Sequence, residues 1–193
     1  MADKFEKERE TILKSLPANV KSMFRTMGFC RVEVDSDDED AAAKKQAGDD
    51  FAPCLILSPY DVPPRPVRDT YWHQMYMAAK RSKKLGEMDY LVYQYGHDDP
   101  EDCYSFVAVE DFKSYDDGLK AGFGELPAAL QAKVDAGTAL TEDEQIRVRA
   151  LEEMREDASK KPEERLRGNF DFLERHETEE FDDIEPSKKK QKK

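Results

Sequence analysis

The chain has 193 residues, 38% hydrophobic and 38% charged, with a formal net charge of -12. That charged fraction lies well above the roughly 25% of an average soluble domain, so one domain of about 100–150 residues with charged segments outside its core is expected. No run approaches the ~18 apolar residues that span a bilayer, and the opening MADKFEKERETILK lacks the apolar run of a signal peptide. The acidic balance also argues against tight, patternless binding to nucleic acid or to an acidic membrane.

Residues 4–14 set Phe5, Ile12 and Leu13 among alternating charges, a weakly amphipathic helix. Ser15 reads as the cap of a second helix with Pro17 in its first turn. Val20, Met23, Phe24 and Met27 continue that helix until Gly28 stops it. Phe29 to Val34 alternates apolar and charged side chains, as a half-buried strand does. Residues 35–50 contain nothing apolar larger than alanine and read as a flexible acidic insert. Phe51 to Leu57 is a short apolar run that fits a buried strand. The prolines of DVPPRPVR, residues 61–68, predict an extended connection.

Residues 69–82 predict a helix capped by Asp69 or Thr70, with Trp72, Met75, Tyr76 and Ala79 as its inward stripe; Gly86 closes the segment. Tyr90 to Gly96 is the strongest strand signal in the chain. With Cys103 to Val109 it forms a hairpin around an acidic tip. Glu110 to Phe112 and Tyr115 to Gly118 read as turns. A helix is expected over 126–136, between a starting proline and Gly137. Thr141 with Glu144 is a capping box for a helix through Ile146, Val148, Leu151 and Met154 to about Ser159.

The order of features from Phe51 onward resembles the PWWP domain, a five-stranded barrel packed against C-terminal helices. Tyr93-Gln94-Tyr95-Gly96 matches that family's third strand and Ser105-Phe106-Val107 its fourth. Glu110-Asp111-Phe112 with Tyr115 continues the match, and Asp50-Phe51-Ala52-Pro53 stands where the namesake motif would. The resemblance implies an α+β fold. It consists of a small five-stranded antiparallel β-barrel of SH3/Tudor-like type with an inserted helix, an N-terminal helical segment and a C-terminal helical bundle. The domains are then 1–28 (helical segment), 29–160 (PWWP-like, with the acidic insert 35–50) and 161–193 (charged tail).

In the family, an aromatic cage holds methylated lysine and a neighbouring basic surface contacts DNA. A cage ring contributes about 0.5–2 kcal/mol toward a cation. The cage positions map to Asp49, Ala52 and His97, with Phe51 and Tyr95 able to contribute in another geometry. Ala52 has no ring, so the implied cage is lost or remodelled.

The basic candidate comes from the residues themselves. Arg65, Arg68, Lys80, Arg81, Lys83 and Lys84 face a single acid, Asp69, in that stretch. Such a surface neutralises phosphates, and the interleaved Tyr71, Trp72 and Tyr76 could stack on a base. The competing structural role of the cations is to complement a helix C-terminus. Lys188, Lys189, Lys190, Lys192 and Lys193 read as a nuclear-import signal, a cytoplasmic location being the alternative.

Catalysis finds no footing. His73, His97 and His176 have no motif neighbours, and the cysteines Cys30, Cys54 and Cys103 lie in no metal-ligand spacing. His97-Asp98-Asp99 with Glu101 and Asp102 offers oxygen ligands without the spacing of a known cation loop. The expectation is a non-enzymatic, chromatin-associated module contacting the phosphates of DNA or RNA, with a (methylated) histone tail as a further candidate partner. It would need no cofactor, metal, membrane or small-molecule substrate. The alternative is a protein–protein adaptor that keeps the barrel without the cage.

Overall fold

Five short, largely apolar segments come together as one antiparallel sheet. The computed structural model describes residues 2–32, 51–60, 67–97 and 103–166, with side chains from Lys7 onward. The acidic insert, the prolines at 63, 64 and 66, most of the acidic hairpin tip and the lysine-rich end lie outside these residues. The strands are β1 (Met27–Arg31), β2 (Phe51–Ile56), β3 (Tyr90–Gln94), β4 (Tyr104–Val107) and β5 (Phe112–Ser114), in the order β4-β3-β2-β1-β5. β1 pairs with β2 through Phe29 opposite Pro53, β2 with β3 through Leu55 opposite Tyr93, and β3 with β4 through Leu91 opposite Phe106.

Because successive side chains of a strand point to opposite faces, this register sorts the core in two. Met27, Phe29, Leu55, Leu91 and Tyr93 lie on one face within the larger core, which also takes in Trp72, Tyr76, Leu151 and Met154 from the helices. Cys30, Cys54, Ile56, Val92 and Val107 form a smaller core on the other face, with Tyr90 and Phe112 packed against it.

The closed barrel expected from the sequence is not what the strands pair into. Among the described residues the ladder ends at β4 on one side and β5 on the other. The sheet is nevertheless strongly curled. Flat strands spaced about 4.8 Å apart would put β3 and β5 about 14 Å from each other. Instead the rings of Tyr90 and Phe112 meet edge to face with centroids 5.6 Å apart.

The helices are α1 (Ala2–Ser15), α2 (Ala18–Met23), α3 (His73–Ser82), α4 (Tyr115–Lys120), α5 (Ala128–Asp135) and α6 (Glu142–Ala158). The capping box of α6 forms as its spacing predicts, with the Thr141 hydroxyl accepting from Glu144 N–H and the Glu144 carboxylate accepting from Thr141 N–H.

Three other expectations change. Ser15 closes α1 instead of capping α2, whose cap is Pro17. The second helix stops at Met23, and Arg25 takes a left-handed φ of 64° before the chain enters β1. Gly28 is therefore a strand residue and not a helix stop. A Cβ there would lie 2.2 Å from the Lys113 carbonyl oxygen and 2.3 Å from the Phe112 ring, so glycine permits the approach of β5. Finally, the turn expected at Glu110–Phe112 forms as a 3-10 turn, Val109–Asp111, that runs into β5, whereas the turn expected at Tyr115–Gly118 is α4.

One buried polar cluster joins the end of β3 to α6. The Asp157 carboxylate accepts from the Tyr95 hydroxyl at 3.0 Å, from Leu166 N–H at 3.0 Å and from Lys160 Nζ at 2.9 Å. Burial and the neighbouring Asp157 charge push the Tyr95 phenol far above its ordinary value. Arg165 extends the join by donating to the Arg25 carbonyl at 2.6 Å.

All three cysteines are buried, and burial pushes the Cys54 thiol up, away from the reactive thiolate. Native protein is expected to leave all three thiols unlabelled by a disulfide reagent over minutes and to release three equivalents on denaturation. Rapid labelling of even one thiol in the native protein would contradict this packing.

Candidate nucleic-acid interface

A single π-helical turn, Val67–Trp72, runs directly into α3. The inward stripe forms as the spacing predicts: Trp72 and Tyr76 are buried, and Met75 and Ala79 are half-buried. Trp72 stacks on Tyr76 with centroids 5.3 Å apart and 9° between planes, and Tyr60 meets it edge-on at 6.4 Å. The Tyr76 and Ser15 hydroxyls, 2.7 Å apart, tie α3 to α1. Packing of this kind is worth about 3–5 kcal/mol for a tryptophan, so the helix is a rigid platform.

Its C-terminus shapes the exposed charge. Lys83 adopts φ 60°, its N–H reaches the Lys80 carbonyl, and Lys84 N–H donates to the Ala79 carbonyl at 2.8 Å. This pair of bonds is a Schellman closure. Lys80, Arg81, Lys83 and Lys84 are all exposed around it. Lys84 is bound by Glu87 at 2.7 Å, Lys80 Nζ stands 5.5 Å from the Tyr76 ring centroid, and Arg81 Nε donates to the Met77 carbonyl at 3.2 Å. Lys80 thus caps the Tyr76 ring while remaining exposed, Lys83 is exposed beside it, and the ion pair at Lys84 is an exposed one of small strength.

Arg68 departs from the group. Its side chain is only 14% exposed and holds Asp69 by two bonds, at 2.6 and 3.1 Å. It belongs to a groove between α1 and the start of α3. This groove, of about 260 Å³, is lined by Glu8, Arg9, Ile12, Tyr60, Arg68, Asp69, Trp72 and His73. Ile12 and Trp72 form its buried end, and Glu8 and Asp69 its exposed rim. The Arg9 guanidinium stands 5.6 Å from the Tyr60 ring centroid, and burial beside Glu8 pushes the Tyr60 phenol up. Sequence reading missed Glu8, Arg9, Ile12 and Tyr60, because no local spacing links α1 to residues some sixty positions away. Arg65 lies outside the described residues.

The cage candidates are not brought into one open pocket. Phe51 is 9% exposed and stacks on Phe123, centroids 4.4 Å apart and 11° between planes. Tyr95 is 2% exposed and committed to Asp157. Both rings thus serve the core, while Ala52 and His97 are half-buried and Asp49 lies outside the described residues. Among the described residues no cluster of three or more His, Cys, Asp or Glu could hold a metal ion, and no helix is long and apolar enough to cross a membrane.

Comparison with protein-family models, with curated proteins and with solved structures found no match for the chain.

Proposed function

We propose that this chain is a non-enzymatic, PWWP-like module of the nucleus that contacts nucleic-acid phosphates through the basic end of α3. One observation carries the reading: Lys80, Arg81, Lys83 and Lys84 stand exposed together at the end of a helix that Trp72 and Tyr76 hold rigid. Cations on a fixed helix neutralise phosphates without a further cost of ordering the backbone that carries them. They do so on a chain of net charge -12, so contact is local to this face. The curl that brings Tyr90 to Phe112 supports a barrel-like module, and the lysines at 188–193 support nuclear import.

A methyl-lysine cage is not part of this proposal, because Phe51 and Tyr95 are buried. That burial favours, as the second reading, an adaptor that has the sheet and no cage. Replacing Lys80, Arg81, Lys83 and Lys84 together by Glu discriminates the two. Oligonucleotide affinity at low salt is expected to fall at least about 100-fold, with the fold intact by circular dichroism. Unchanged affinity, or no affinity in the unmodified protein, refutes phosphate contact and leaves the adaptor.

A further inference from the structure

We infer that the ligand is single-stranded, and that one unstacked base enters the groove at the start of α3 while the flanking phosphates follow the basic stripe. The inference rests on the phosphate-binding reading above and adds to it a second subsite.

Three observations support it. First, the groove and the basic end are joined along one helix face. His73, Met77, Lys80 and Arg81 recur at i, i+4, i+7 and i+8, the spacing of a continuous stripe. His73 lines the groove, and Met77, Lys80 and Arg81 are exposed. At 1.5 Å per residue the stripe is about 12 Å long, a span of a few nucleotides. Second, the groove carries no net charge: the guanidiniums of Arg9 and Arg68 balance the carboxylates of Glu8 and Asp69. It has no electrostatic claim on a phosphate or a cation, and the stripe beside it does. Third, its walls are the half-buried rings of Tyr60 and His73 over a buried end of Ile12 and Trp72. At about 260 Å³ it falls below the ~300–1,000 Å³ of drug-sized sites and suits one planar ring. An aromatic-lined slot without net charge, beside exposed cations, is an arrangement by which proteins hold single strands, by stacking bases and tracking the backbone. A paired base in a duplex cannot enter it.

The test uses the unmodified full chain, in which Trp72 is the single tryptophan and reports on the groove by its emission. The probes are an oligodeoxycytidine of about twelve nucleotides, an abasic strand of the same length and a duplex of the same length. The cytidine strand is expected to bind about 10-fold more tightly than either of the others, the scale of one stacked base. It alone should change Trp72 emission. Tyr60→Ala is expected to bring cytidine-strand affinity down to that of the abasic strand and to leave the salt dependence as it was. If the cytidine and abasic strands bind equally and neither alters Trp72 emission, the base subsite is overturned and phosphate contact stands. If no strand or duplex binds, both readings fall.

Discussion

Gly96→Ala is expected to be among the most damaging single changes in this protein, costing about 3 kcal/mol or more. Gly96 has φ +88°, where a side chain costs about 1–2 kcal/mol. A Cβ there would also lie 2.4 Å from the Ile146 carbonyl oxygen and 2.8 Å from Ala150 N, both backbone atoms of α6. Neither can swing aside as a side-chain tip could, so α6 must shift from the sheet and weaken the contact that Leu151 and Met154 make with the core. Gly122→Ala is the internal control. Its φ is +84°, yet nothing lies within 4 Å of the added carbon, and its cost should stay near the conformational part alone, about 1 kcal/mol. Denaturant midpoints for the two variants measure the difference. Equal losses would mean that α6 does not press on the end of β3.

Asp157→Ala should cost about as much, roughly 3–5 kcal/mol, by the rule for breaking a buried charged cluster from one side. Asp157 is 3% exposed, and loss of its carboxylate strands the Tyr95 hydroxyl and Leu166 N–H without their partner. Tyr95→Phe removes one of the three donors and should cost about 1–2 kcal/mol. A loss below about 1 kcal/mol for Asp157→Ala would show that the cluster does not fasten α6.

The cluster also fixes a pH dependence. Folding raises the Tyr95 value above that of the unfolded chain, so the protonated phenol is the form the fold favours. Its contribution is fully present below the ordinary value of about 10. It declines as pH rises from there toward the raised folded value, and this decline should be shallower in Tyr95→Phe.

How much of this was legible in the sequence depends on how local each signal is. The β3–β4 hairpin and the capping box of α6 are set by neighbours in the chain, and they form where the residues place them. β5 is three residues long, and its partner, β1, lies more than eighty positions earlier. Nothing within Phe112–Ser114 announces that pairing. Gly28 was misread for the same reason: glycine after an apolar run is an ordinary helix stop, and only the distant Phe112 ring and Lys113 carbonyl make it a strand requirement.

At the candidate interface, the run Lys80–Lys84 was legible as charge at a helix end, and the structure leaves it exposed. Arg68 was grouped with it by proximity in sequence, but Asp69 beside it turns it into the groove. The family pattern maps the cage to Asp49, Ala52 and His97, and Phe51 and Tyr95 are rings that a different geometry or the core could use. Phe123 and Asp157, both distant in the chain, decide for the core.

The most direct measurement is the affinity of the unmodified protein for a single strand as a function of salt. With three or four cations of the α3 end neutralising phosphates, log K against log salt is predicted to fall with a slope of about -2 to -3. A slope indistinguishable from zero, or no binding at the lowest salt, would contradict phosphate contact by this face.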